Sequence, residues 1–337
     1  MIIHELYDNI MMNTGMLIGK NSMGFMIKGK WINQNFGSDI TGGRFIRKDS
    51  IFRHFIGSAK FPAEKNRYHL YVSHACPWAH RATLYRELKS LTSVIPMTAV
   101  KPVMLENGWE IDPSTDSCNE KNYLHQIYSL ANTNYEGRVT VPMLWDKHTR
   151  TIVNNESSEI IRMFNQEFNM ITGNKLDFYP KSKRSDIDKM NEFIYSAINN
   201  GVYKVGFATS QAVYTEEVNR LFNALEKIEK HLSRQRYLVG NQLTEADICL
   251  FTTLIRFDPV YVGHFKCNLQ RIVDYPNLSG YLRDIYQTKN IKSTVDMDHI
   301  KTHYYTSHPF INPNGIVPIG PRINYDEPHN RAKMEYI

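Results

Sequence analysis

Cys76 stands in Ser73-His74-Ala75-Cys76-Pro77-Trp78-Ala79-His80-Arg81, between a strand-like run and a helical one. Free backbone N–H groups and the helix dipole at such a junction favour an anion. A cysteine there can be drawn from a pKa of about 8.5 toward roughly 3.5–7.5, which gives a thiolate at neutral pH. Position 79 is alanine, so no second thiol follows to close an intramolecular disulfide, and turnover must use an outside thiol. The plain alternative is a small buried hydrophobe. His74, Cys76 and His80 raise the idea of a metal site, and His299, His303 and His308 raise another. Neither group has the spacing of a zinc site, so no metal is predicted.

Two dipeptides could serve a ligand next to such a thiol. Val141-Pro142 opens a strand-like run. A proline in that place is often cis and leaves the preceding backbone open to an extended peptide, which could add as a strand; an edge strand without a ligand is the alternative. Glu156-Ser157 opens a helical run. Ser157 is the expected cap, the first-turn N–H groups can hold a carboxylate, and Glu156 can face an ammonium group. With Cys76 these positions outline a pocket for a zwitterionic thiol peptide. Tyr203, Tyr261 and the adjacent Tyr304 and Tyr305 are further candidates, although in a chain with 20 tyrosines any one is more often packing than catalysis.

The elements that must position these residues are readable from periodicity. His69 to Ser73 predicts a strand, and Pro77 suits the first turn of a helix continued by Ala82, Tyr85, Leu88 and Leu91. Val94 to Val100 predicts a second strand, residues 101–120 a loop, and Tyr123 to Leu130 a helix. Strands follow at Val141 to Trp145 and Thr151 to Val153, then a helix from Glu156 with Ile160, Ile161, Phe164 and Phe168 on one face. This β-α-β-α-β-β-α order is the thioredoxin-like plan. Beyond Pro180 the pattern turns helical, over 183–199, 212–233, 244–257 and 278–287. Val218, Leu221, Phe222, Leu225, Ile228 and Leu232 form an apolar stripe. Thr244 and Asp247 form a capping pair ahead of the almost wholly apolar run Ile248 to Ile255, which predicts a buried helix. The division is therefore a front extension (1–66), a thioredoxin-like domain (67–171), an all-helical domain (180–297) and a Pro-rich, irregular tail (298–337).

Composition narrows the class. Of 337 residues, 42% are hydrophobic and 22% charged, which excludes wholesale disorder. The net charge of +6 is scattered rather than blocked, so no nucleic-acid partner is predicted. Cys76, Cys118, Cys249 and Cys267 are widely spaced, which fits a reducing, cytoplasmic setting rather than a disulfide framework. Met1 to Ile10 carries Glu5 and Asp8 without a basic region, so a secretory signal is not expected. The uncharged stretch Thr302 to Pro321 holds four prolines and cannot be a spanning helix, so no membrane partner is predicted.

The combination of strand, Cys-Pro, helix, Val-Pro strand, Glu-Ser helix start and helical second half resembles a glutathione transferase. CPWAHR (76–81), RVTVPMLWD (138–146), NNES (154–157), INNGVYKVGFA (198–208), RFDPVY (256–261) and HYYTSHPFINPNGIVPIGP (303–321) narrow the resemblance to the Xi class, the glutathionyl-hydroquinone reductases. The likeness runs from about residue 36 to 322. It implies a thioredoxin-like domain followed by an all-helical glutathione-transferase domain, glutathione as co-substrate, and a homodimer. It implies that Cys76 is the nucleophile and that Trp109, Arg138, Val139, Thr140, Val141, Glu156 and Ser157 bind glutathione. Tyr203, Tyr261 and Tyr304 would sit over a hydroquinone ring, with Tyr203 as proton donor and the other two supporting the thiolate. Met143 departs from the expected aliphatic residue by a tolerable change of volume. The implied reaction is reduction of S-glutathionyl-hydroquinones through a Cys76–glutathione mixed disulfide. An omega-like thiol transferase or dehydroascorbate reductase is the alternative on the same fold, and a glutathione-binding module without turnover is the alternative of another class.

Overall fold

The computed structural model describes residues 24–33 and 39–336. The expectation about Met1 to Ile10 lies outside them. A four-stranded mixed sheet in the order β6-β5-β8-β9 carries the first half. It is built from β5 (Tyr68–Val72), β6 (Met97–Ala99), β8 (Met143–Asp146) and β9 (Thr151–Asn154). β5 runs parallel to β6 and antiparallel to β8, with Leu70 opposite both Met97 and Leu144. All five β5 residues are buried, the continuous apolar pattern of a strand covered on both faces. The second predicted strand is shorter than its apolar run: only Met97–Ala99 pairs, while Leu91 and the residues up to Pro96 form the turn into it.

α1 (Pro77–Leu88) follows β5 with proline in its first turn and Cys76 at its N-cap. α2 (Leu124–Ala131) packs near β9, and α3 (Ser157–Gln166) packs against α1. Glu156, not Ser157, caps α3: its carboxylate accepts from the Ser158 N–H at 3.2 Å and the Ser158 hydroxyl at 3.0 Å. The longer side chain reaches the free N–H, which leaves Ser157 inside the first turn. α4 (Asn169–Thr172) is a single turn that ends at Gly173, whose φ of 68° suits a left-handed cap.

The helical half holds α5 (Arg184–Ile194), α6 (Gly201–Gly206), α7 (Gln211–Leu232), α8 (Glu245–Arg256) and α9 (Pro276–Tyr286). The α7 stripe from Val218 to Leu232 is buried as predicted, at roughly 1.5–3 kcal/mol for each large side chain. Every residue of α8 is buried. Asp247 closes its capping box with Thr244, and its other oxygen accepts from the Leu238 N–H and the Tyr281 hydroxyl, both at 2.8 Å, tying α9 to α8. π-helical turns at Tyr195–Asn199 and Phe257–Tyr261 follow α5 and α8. Each wider turn rotates what comes after it by about 100° relative to a straight helix, and both lead to tyrosines of the site.

The flanking segments differ most from expectation. The front segment contributes β1 (Phe25–Ile27), β2 (Lys30–Ile32), β3 (Ile40–Thr41) and β4 (Arg44–Phe45). β1 pairs with β2 and also with β7 (Gly137–Arg138), so the front segment is laced into the thioredoxin-like half. The tail is not irregular throughout: α10 (Met297–Thr306) is a capped helix whose His299 N–H donates to the Asp296 carboxylate at 2.9 Å. No helix among the described residues is long and apolar enough to cross a membrane.

Candidate active site

A cavity of ≈ 360 Å³ opens where α1, the β7–β8 segment, α3, α6, α10 and the front segment converge. Cys76, Trp109, Arg138, Val139, Thr140, Val141, Glu156, Ser157, Tyr203 and Tyr304 all line it. Tyr261 does not: it is fully buried behind Tyr304.

Cys76 is half-buried at the head of α1. Its thiol donates to the Val141 carbonyl at 3.4 Å, and the Val141-Pro142 bond is cis. Burial pushes the thiol up, while the Ala79 and Trp78 N–H groups and the charges of Arg256 and Arg47 pull it down. In the free cavity burial is the larger effect, so the thiol is pushed up from its ordinary value, against the downward pull expected from helix position alone. The sequence shows a helix N-terminus but not how much apolar surface surrounds it. All four cysteines are unpaired.

The cavity wall formed by Thr140 and Asn155 is held by a network around Tyr128. Its hydroxyl donates to the Thr140 carbonyl at 2.9 Å, and Asn155 Nδ2 reaches the same hydroxyl at 3.3 Å. The Ser50 hydroxyl donates to Glu156 at 3.2 Å, beside the α3 cap. Arg138 forms an ion pair with the buried Asp39. Trp109 stacks on His303 with ring centroids 4.9 Å apart. His303 Nδ1 donates to the Pro102 carbonyl at 2.9 Å, and burial drives its pKa down to about 3, so this ring is neutral.

On the opposite wall the Tyr203 and Tyr304 hydroxyls are 2.7 Å apart, and those of Tyr261 and Tyr304 are 3.1 Å apart. Burial pushes all three tyrosines up, so they stand as neutral donors at ordinary pH. The adjacent Cys76 adds to this for Tyr203, while Arg47 opposes it.

Of the other candidates, His303 and His308 line the cavity. His74 packs edge-on against His299, 5.3 Å between centroids, and His80 faces away into the protein. Tyr305 donates to the Pro259 carbonyl at 3.3 Å, a packing role. Among the described residues no group of three or more His, Cys, Asp or Glu side chains is set to hold a metal. Sequence reading missed Arg47, Ser50 and Asn155. Arg47 lies over the rings of Phe45, Trp78 and Tyr203, and its Nε donates to Asn200 at 3.0 Å. The basic–aromatic run Arg44 to Lys48 was the available signal for it.

Residues 75–167 match the model of the glutathione S-transferase N-terminal domain, and residues 211–284 that of the C-terminal domain. The chain is 52% identical over 323 residues to glutathionyl-hydroquinone reductase YqjG of Escherichia coli, covering 92% of this chain and 98% of that one. It is 48% identical to glutathionyl-hydroquinone reductase PcpF of Sphingobium chlorophenolicum, over 89% and 96% of the two chains. Its fold superimposes on a Xi-class transferase from Natrialba magadii with a TM-score of 0.88 at 44% identity, covering 94% and 99%. The glutathione-bound structure of YqjG gives 0.84 at 50% identity, covering 92% and 99%. By sequence and by fold, this chain belongs to the glutathione transferase superfamily and, within it, to the Xi class of glutathionyl-hydroquinone reductases.

Proposed function

We infer that this protein is a glutathionyl-hydroquinone reductase. It reduces S-glutathionyl-hydroquinones to free hydroquinones at the expense of glutathione. The observation that carries the chemistry is one cavity holding a lone thiol, Cys76, opposite the bonded hydroxyls of Tyr203 and Tyr304. The Cys76 thiolate attacks the sulfur of the conjugate, the new S–S bond forms, and the aryl C–S bond breaks with its electron pair on the ring carbon. Tyr203 supplies the proton to that carbon as general acid. Tyr304 links Tyr203 to Tyr261, so the three hydroxyls share the charge left behind. A second glutathione thiolate attacks the Cys76–glutathione disulfide, releasing oxidised glutathione and the Cys76 thiolate.

Glutathione lies along Val141 as an added strand, with its ammonium toward Glu156, a carboxylate at the Ser157 end of α3 and further contacts from Trp109 and the Arg138–Val139–Thr140 stretch. Ser50, Asn155 and Tyr128 hold those partners in place. The omega-like alternative is not favoured, because proteins so named match less well than the two reductases. The working form is a cytoplasmic homodimer without a metal, in keeping with four free thiols and a scattered +6 charge. We divide the chain at 67–171 and 180–297, with the flanking segments supplying cavity walls through Arg47 and Tyr304. The test is release of hydroquinone from a glutathionyl conjugate beside release from a small mixed disulfide. A reductase prefers the first; a preference for the second favours the omega-like thiol transferase.

A further inference from the structure

Arg256, the last residue of α8, is fully buried, and among the described residues no carboxylate pairs with it. A guanidinium in that setting is costly unless its donors are satisfied. Here they are spent on the turn ahead of the nucleophile. Nε donates to the Ala75 carbonyl and Nη2 to the His74 carbonyl, both at 2.8 Å. Nη1 donates to the Thr252 carbonyl at 2.7 Å and to His80 Nδ1 at 3.1 Å. Because arginine only donates, His80 Nδ1 must accept and Nε2 must carry the proton. Nε2–H then donates to the Thr294 hydroxyl at 2.8 Å, which in turn donates to the Ile291 carbonyl at 2.6 Å. Every donor direction in this chain is set by the one before it, from α8 through α1 to the turn ahead of α10.

We propose that Arg256 is a positioning residue for the nucleophile: its guanidinium, anchored in the helical half, grips the His74 and Ala75 carbonyls so that Cys76 is presented at the head of α1 beside a fixed positive charge. The guanidinium spans both carbonyls and so sets its charge against the turn that leads into Cys76. His80 is a spacer in this device, held neutral by burial and by Arg256 itself. The other charged or titratable groups lining the cavity with Cys76 are Asp39, Arg47, Lys48 and Asp49 from the front segment, Tyr135, Glu136 and Arg138 around β7, Glu156 at α3, Tyr195 and Tyr203 at and after the first π turn, and His303, Tyr304 and His308 from the tail. Of these Arg47 acts in the same sense as Arg256 on the thiol.

This inference deepens the reductase reading and rests on it, but its main test does not use a hydroquinone. Purified wild type, Arg256→Met and Arg256→Lys are alkylated with iodoacetamide across a pH series, with Cys76 modification read by mass spectrometry and folding by thermal melting. In folded Arg256→Met the midpoint of Cys76 alkylation rises by on the order of one pH unit, and turnover falls roughly 10²-fold as the sulfur shifts out of line. Arg256→Lys keeps most of the midpoint because it keeps the charge, yet loses about tenfold in kcat because an ammonium lacks the fork that spans both carbonyls. A folded Arg256→Met with an unmoved midpoint overturns the proposal whatever its turnover. Should that variant not fold, a folded Arg256→Lys with wild-type kcat overturns it instead. A wild-type enzyme that is idle on a glutathionyl-hydroquinone sinks the reductase reading and leaves the alkylation comparison standing.

Discussion

The nucleophile wall of the cavity is made from one short stretch of chain, whereas the tyrosine wall and the Tyr261 hydroxyl behind it are gathered from three distant ones. Cys76 sits between a strand end and the proline-opened first turn of α1, all within a few residues, with Arg256 reaching its turn from far along the chain. The tyrosine hydroxyls come from α6, a π turn and α10, and the two that touch at 2.7 Å are 101 residues apart. The first wall is backbone-built, and its polar atoms are largely N–H and C=O groups whose positions follow from secondary structure. The second is side-chain-built and depends on how the helical half and the tail pack. Two walls with such different origins should fail in different ways when mutated.

The largest break falls on the nucleophile. Cys76→Ala should abolish hydroquinone release while leaving glutathione binding measurable by calorimetry; residual turnover near wild type would remove Cys76 from the reaction. Tyr203→Phe should come next, with kcat lowered roughly 10²-fold and KM little changed, as the proposed general-acid role requires. Tyr261→Phe should cost less, about fivefold to tenfold, because its hydroxyl reaches the substrate only through Tyr304. Equal losses at Tyr203 and Tyr261 would mean that the three hydroxyls act as one unit rather than in sequence. On the binding side, Glu156→Gln should raise the KM for glutathione by roughly tenfold with kcat nearly unchanged. A pure kcat effect there would move Glu156 from the binding wall to the chemistry.

The smallest effect is on stability and is read from pH. His264, His299 and His303 are held neutral by burial, with pKa values near 4, 4 and 3. In the unfolded chain they bind protons from about pH 6.5 downward. The unfolded state then holds more protons than the folded one, so stability falls as pH drops through this window. Urea midpoints measured from pH 8 to pH 4 should therefore decline steadily below about pH 6.5, and a flat profile would mean that these rings are solvated.

The contrast between the walls also explains what could be read beforehand. Strand, Cys-Pro and helix are local signals, and so are Val141-Pro142 and the Glu156 helix start; they marked residues that line one cavity without any knowledge of packing. The tyrosines carried no local signal, since each is one aromatic among many on a helix, and only their motif contexts singled them out. Arg47 was hard to read for another reason: β3 and β4 are two residues each, too short to show a period, which left the basic–aromatic run Arg44 to Lys48 as its one signal. In the tail, the prolines from Pro309 onward made the whole segment look irregular and hid α10, whose Ile300 and Tyr304 are in fact buried one turn apart. The burial that raises the Cys76 thiol is likewise a property of the assembled cavity and not of the CPWAH stretch.

The most direct measurement is mass spectrometry of the protein mixed with one equivalent of a glutathionyl-hydroquinone and no free glutathione. The account predicts one glutathione attached at Cys76 and one equivalent of free hydroquinone released, with the adduct leaving as oxidised glutathione when glutathione is added. Hydroquinone released without an adduct on Cys76, or an adduct on Cys118 alone, would contradict it.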